Sequence, residues 1–92
     1  MKLVDVIKII ESINEEQIIF QENMEDFNSD IILSTGDEGG GGIKVVDTKK
    51  YYYLIEIFLA KEFIEDWVET LTYAPDHNEI AKRLYDYAIN DA

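Results

Sequence analysis

The chain has 92 residues, of which 47% are hydrophobic and 30% are charged, and its formal net charge at pH 7 is −12. This length fits one domain with its own core, and the content of large apolar residues excludes a disordered chain. The absence of cysteine excludes disulfides and thiolate metal sites, and the excess of acids argues against direct binding to nucleic acid or an anionic membrane.

The first residues do not have the pattern of a signal peptide, because Asp5 and Lys8 interrupt the apolar run that begins at Leu3. The most apolar stretch, residues 51–60, contains Glu56 and is much shorter than the roughly 20 residues that a membrane span needs. We therefore expect a cytoplasmic protein without a membrane segment.

The first third of the sequence predicts one helix and two strands. Apolar residues at helical spacing indicate an amphipathic helix over residues 3–14. Runs rich in β-branched and aromatic residues predict strands over residues 17–21 and 30–35. The polar segment between these strands is expected to be irregular, with Met24 and Phe27 folded back as covers.

The middle of the sequence predicts a flexible loop and a second pair of strands. The glycine-rich residues 36–42 are expected to be the most mobile internal segment. Strands follow over residues 43–47 and 51–57, joined by a tight turn. Strict alternation places the second of these strands with Tyr51, Tyr53, Ile55 and Ile57 on one face and Tyr52, Leu54 and Glu56 on the other. Glu56 is expected at the rim, beside Lys44 or a tyrosine hydroxyl.

The C-terminal part predicts two helices. The first begins near Phe58. Its expected buried face repeats every four residues as Leu59, Phe63, Trp67 and Leu71, with Ala60, Ile64 and Val68 beside them. Pro75 closes this segment, and Asp76 with Glu79 has the spacing of a capping box that opens the last helix. The order α-β-β-β-β-α-α predicts an α+β fold, with a four-stranded antiparallel meander and three helices packed mainly on one face.

Two motifs resemble ligand sites, but each departs from its pattern. The glycines at 39–42 lead into a strand, whereas a phosphate-binding loop needs Lys and Ser or Thr followed by a helix. Residues 26–37 have the ligand spacing of a calcium loop, but Ile31 stands where glycine is needed and Asp37 where a bidentate Glu is needed. Neither motif is therefore predicted to bind a ligand.

Four carboxylates share one face of the helix that begins near Phe58, namely Glu62, Glu65, Asp66 and Glu69. A di-metal centre would need a second carboxylate helix and a Glu-x-x-His pattern, which the sequence lacks. The single histidine, His77, has no serine or cysteine partner suggested by the sequence. The sequence therefore predicts no catalytic residue, no metal ligand and no cofactor.

The leading hypothesis is a non-catalytic binding module whose four carboxylates engage a basic protein, as an inhibitor, immunity or adaptor protein would. One alternative is a self-associating structural domain that forms a homodimer through a sheet face with Tyr52 and Leu54. Another is a DNA mimic, since carboxylates along a helix repeat about every 5–6 Å, comparable with phosphates along a strand. A recognition face requires the four carboxylates to adjoin other acids from residues 11–38.

Overall fold

The computed structural model describes residues 1–35 and 42–91, and these form an α+β fold of three α-helices and four strands. In chain order the elements are α1 (Leu3–Ile9), β1 (Gln17–Gln21), β2 (Ile31–Thr35), β3 (Ile43–Val46), β4 (Lys49–Glu56), α2 (Ile57–Glu69) and α3 (His77–Asp91). A single 3-10 turn, Ile10–Ser12, continues α1. The predicted class and element order are confirmed, whereas the predicted mobile segment lies, apart from Gly42, outside the described residues.

The four strands form one antiparallel sheet in the order β2-β1-β4-β3. The prediction of antiparallel pairing is confirmed, but a meander would place the strands in chain order. Instead, two hairpins lie side by side, with β1 and β4 at the centre. These two strands contain most of the buried strand residues, whereas β3 has no buried residue and takes an edge. Burial of the most apolar strands therefore determines the order.

A β-bulge in the central pair changes which residues of β4 are buried. Ile19 lies opposite Ile55, but Phe20 lies opposite Tyr53, so that Leu54 is the extra residue. Leu54 and Ile55 both belong to the core, each 5% exposed, whereas Tyr52 is 37% exposed. The strict alternation predicted for this strand is therefore wrong at two residues, because Leu54 joins Ile55 in the core and Tyr53 lies on the face opposite to Ile55. A sheet face for dimerisation cannot include Leu54.

The core lies between the helices and one face of the sheet. Ile19 and Ile55 pair across the central strands and face α1, α2 and α3, whereas the paired Phe20 and Tyr53 lie on the other face. The apolar residues of α1 fill one end of this core, as the sequence predicts. The core cluster consists of Leu3, Val6, Ile7, Ile10, Ile13, Ile19, Ile31, Leu54, Ile55, Ile57, Ala60, Ala81, Leu84 and Tyr85.

The predicted buried face of α2 is confirmed at Ala60 and wrong at Leu59, which is 40% exposed. Trp67 and Leu71 are only partly buried, and Leu71 lies beyond the end of the helix. The helix buries Ile57 and Ala60, and the partly buried Phe63 and Ile64 pack against the core. The helix carries two neighbouring apolar stripes, and the one with the smaller side chains faces the sheet. The stripe with the aromatic residues borders α3, where the Phe63 and Tyr87 rings stack at a centroid distance of 4.1 Å.

The loop between β1 and β2 is fastened to the sheet and to α3. Gln21 Nε2 donates a hydrogen bond to the Asp26 carbonyl at 2.8 Å, and the Tyr85 hydroxyl donates to the Met24 carbonyl at 2.5 Å. Phe27 contacts the Tyr85 ring edge-on at 5.5 Å. Met24 and Phe27 also pack against the core, so the prediction that they cover it is confirmed.

The hydroxyl of Tyr85 predicts a dependence of stability on alkaline pH. Burial raises the pKa of Tyr85 above 10.0, and the carboxylates of Asp26 and Asp86 raise it further. The stabilisation that the protonated Tyr85 hydroxyl contributes to the free energy of unfolding is therefore complete below about pH 10. It is lost as the pH rises through the pKa that Tyr85 has in the folded protein. We expect urea unfolding to show that the stability gap between the wild type and Tyr85→Phe narrows above about pH 10.

The two proteins differ only in the hydroxyl group at position 85, so the change in the stability gap isolates Tyr85. A gap that is constant between about pH 8 and about pH 11 would contradict this assignment.

Candidate functional site

The four predicted site residues form an exposed row on α2. Because α2 buries Ile57 and Ala60, the side chains of Glu62, Glu65, Asp66 and Glu69 lie on the opposite face, and all four are exposed. We call this row the acidic ridge. Within residues 1–35 and 42–91, no lysine or arginine forms an ion pair with a residue of the ridge. The charge of the ridge therefore stays unneutralised by those residues.

An open groove of about 510 Å³, the α1/α2 groove, runs along one side of the acidic ridge. Its lining consists of Ile10, Glu11, Glu15, Phe58, Lys61, Glu62, Ile64, Glu65, Val68 and Glu69. Glu11 and Glu15, which follow α1 closely in the chain, share this groove with three acids of the ridge. The negative surface thus extends from α2 to the segment after α1, as a recognition face requires.

One cation lies in this groove and has a structural contact. Lys61 Nζ donates a hydrogen bond to the carbonyl of Ile13 at 3.0 Å and lies 3.8 Å from the carboxylate of Glu15. This lysine therefore holds the chain after α1 against α2 and forms an ion pair with Glu15. Among the described residues, Glu11 and the acids of the ridge form no ion pair.

A second groove of about 330 Å³, the α2/α3 groove, lies on the other side of the acidic ridge. Its lining consists of Leu59, Glu62, Phe63, Asp66, Trp67, Thr70 and Tyr87. Leu59 and Tyr87 are exposed, and the ring planes of Phe63 and Tyr87 are 19° from parallel. Glu62 lines both grooves, so the ridge separates two depressions that combine apolar surface with carboxylates.

Several of the chain's other bases pair away from the ridge. Lys2 Nζ lies 3.1 Å from Asp30, and Lys49 Nζ lies 3.7 Å from the same carboxylate. The hydrogen bond from Lys2 and its positive charge lower the pKa of Asp30. Lys82 pairs with Asp86 at 3.7 Å within α3. The acids of the ridge are therefore not interleaved with these bases.

The calcium-like segment is a loop with internal hydrogen bonds. Asp26 Oδ1 accepts a hydrogen bond from the backbone N–H of Asn28 at 2.9 Å, and the carboxylate of Asp30 pairs with lysines. Ile31 begins β2, and Asp37 lies outside the described residues. Within the part of the chain that the structure describes, no group of three or more His, Asp or Glu side chains could hold a metal ion.

Three other ionisable residues from the sequence predictions lie at the starts of helices, namely Glu56, Asp76 and His77. Glu56 immediately precedes α2. Burial raises the pKa of Tyr53, and the charge of Glu56 together with a hydrogen bond to it raises this pKa further, which agrees with the predicted tyrosine partner. Asp76 Oδ1 accepts a hydrogen bond from the Glu79 N–H at 2.8 Å, which confirms the predicted cap. His77 is the exposed first residue of α3 and lines neither groove.

The sequence predicted the acidic ridge but assigned its apolar neighbours to the core. Phe63 and Trp67 each follow an acid of the ridge by one position, and together with Leu59 they lie between the charged face and the buried face of α2. Adjacency to an acid does not separate them from Ile64, which directly precedes Glu65, so the sequence has no local signal for this difference. The contribution of Glu11 and Glu15 has no local signal in the sequence, because it depends on tertiary packing.

Comparison with protein-family models, with curated proteins and with solved structures gives no match for this chain. Among the described helices, none combines the length and the apolar character that crossing a membrane requires. The functional conclusion therefore depends on the surface itself.

Proposed function

We propose that the chain is a non-catalytic binding module that engages a basic protein through the acidic ridge and the α1/α2 groove. The observation that supports this most strongly is the shared groove, in which Glu11 and Glu15 join three acids of the ridge. The same groove contains apolar side chains of Phe58, Ile64 and Val68. Unpaired carboxylates accelerate the encounter with a basic surface, and apolar area beneath them provides the burial that a lasting contact needs.

Apolar surface in the grooves on both sides of the ridge favours a basic partner that also contributes apolar contacts over a DNA-binding protein that recognises a DNA mimic, because a row of phosphates has no equivalent apolar flank. The pair predicted for self-association through the sheet does not form one exposed face, since Leu54 lies in the core and only Tyr52 of the two is exposed. An inhibitor, an immunity protein and an adaptor all fit a module of this kind.

Capture from an extract of the native cell tests the proposal. The immobilised wild type is compared at low ionic strength with Glu62→Lys/Asp66→Lys and with Glu16→Lys/Glu25→Lys. The control residues are exposed and lie outside both grooves, and the two double variants change the net charge equally. We expect a basic protein that the wild type and the control retain and the ridge variant loses, because only the latter reverses the charge at the contact.

The captured protein is then purified and must bind the chain directly. Equal retention by all three proteins, or retention by none of them, would contradict the proposed function.

A further inference from the structure

The α2/α3 groove has a composition that fits one particular side chain of the partner. Building on the proposed function, we propose that this groove is a specificity pocket that takes an arginine of the basic partner. The groove combines aromatic surface from Phe63, Trp67 and Tyr87 with the carboxylates of Glu62 and Asp66. It lies directly beside the ridge, and Glu62 and Asp66 belong to both.

Arginine matches this combination better than other side chains. Its guanidinium is planar, remains charged, stacks on aromatic faces and donates paired hydrogen bonds to carboxylates. The ammonium of lysine is a compact and strongly hydrated charge that gains less from an aromatic face. A purely apolar side chain would fill the groove but leave Glu62 and Asp66 partly desolvated without a cation.

The geometry of α2 brings the two chemical parts of the groove together. Glu62 and Asp66 are four residues apart, as are Phe63 and Trp67, so the acidic pair and the aromatic pair form two adjacent rows one position apart. A guanidinium at the boundary between these rows can contact an aromatic face and a carboxylate at once. The stack of Phe63 on Tyr87 fixes the aromatic side of the groove against α3.

A second copy of this chain is not the expected occupant. Its single arginine, Arg83, lies on α3 and lines a neighbouring depression that also contains Trp67. Two copies of a chain with a net charge of −12 would repel each other as their ridges approached.

Two capped nonapeptides test the pocket; they are identical except that three arginines in one are lysines in the other. Trp67 is the only tryptophan of the chain, so its fluorescence reports on the α2/α3 groove. At low ionic strength we expect both peptides to bind, since both are attracted by the ridge. The arginine peptide should bind about five- to tenfold more tightly and should change the Trp67 emission more strongly.

Two variants test whether Trp67 causes the preference for the arginine peptide. Calorimetry measures the affinities, because Trp67→Leu removes the fluorescent side chain. Trp67→Leu keeps an apolar side chain but removes the aromatic face, so the ratio of the two affinities should fall to about one while the lysine peptide still binds. Tyr52→Leu is the matched control, because Tyr52 is exposed on β4 and lines neither groove, and it should keep the preference. Circular dichroism verifies that both variants fold.

The outcomes separate this inference from the proposed function. Equal affinities of the two peptides for the wild type would overturn the arginine pocket and leave the acidic binding surface standing. A preference that survives in Trp67→Leu would also overturn the pocket. Failure of both peptides to bind at low ionic strength would contradict the proposed function and the pocket together.

Discussion

Replacing Ile57 by alanine is expected to lower the free energy of unfolding by about 2–5 kcal/mol. Ile57 is the first residue of α2, is fully buried, and belongs to the core cluster between this helix and the sheet. Truncation removes apolar contacts and leaves a cavity that the surrounding side chains fill only in part. Urea denaturation at neutral pH measures the loss.

Leu59→Ala is the matched control, since both substitutions remove a branched aliphatic side chain from the first turn of the same helix. Leu59 is 40% exposed in the α2/α3 groove, so its truncation should cost less than about 1 kcal/mol. If Leu59→Ala proved more costly than Ile57→Ala, α2 would be turned the way the four-residue stripe predicts, and the grooves described here would not exist.

Reversing two charges of the acidic ridge is expected to slow association with the basic partner about tenfold at low ionic strength. Glu62→Lys/Asp66→Lys places two cations where the partner is expected to approach. The dissociation rate should change less, because charges at the rim of a contact act chiefly on encounter. Stopped-flow or surface-based kinetics with the captured partner measures both rates.

The control Glu16→Lys/Glu25→Lys has the same net charge but should slow association less than about twofold, since both residues lie outside the grooves. At about 0.5 M salt the three proteins should converge, because screening removes the effect of exposed charges. Equal slowing by the two double variants would mean that net charge alone controls binding and that the ridge has no special role. Both variants should keep the wild-type free energy of unfolding within about 0.5 kcal/mol.

Local patterns in the sequence were sufficient to predict the elements of this fold. Runs rich in β-branched and aromatic residues marked β1 and β2 to within one residue, and the Asp76 cap marked the start of α3. The first helix was predicted too long, since it ends at Ile9 and passes into a 3-10 turn. The Ser12 hydroxyl donates to the Ile9 carbonyl at 2.8 Å there, which satisfies a group that a longer helix would have bonded internally.

The errors concern features that only tertiary packing determines. The bulge that buries Leu54 results from the register between β1 and β4, which residues far apart in the chain set together. The rotation of α2 depends on which of two apolar stripes fits the sheet, and the compact stripe of Ile57 and Ala60 allows the closer approach. The spacing of apolar residues in the sequence does not by itself show which of the two stripes of α2 is buried.

The candidate site was predictable only in part, because local spacing determines one part of it and tertiary packing determines the other. The acids of the ridge share a helix face by spacing, so sequence periodicity was enough to group them. Their juxtaposition with Glu11 and Glu15 arises because the segment after α1 packs beside α2, where Lys61 bonds to the carbonyl of Ile13. That contact spans much of the chain and has no local signature.

Amide chemical-shift mapping with the arginine nonapeptide tests most directly whether the ridge and its two grooves form the binding surface. We expect the largest shifts on addition of the peptide in the outward half of α2, at Glu11 and Glu15, and at Tyr87, because these residues line the two grooves. Resonances of β3 and of the loop between β1 and β2 should move little. Shifts concentrated on the sheet, or spread evenly over all exposed acids, would contradict a defined acidic binding surface on α2.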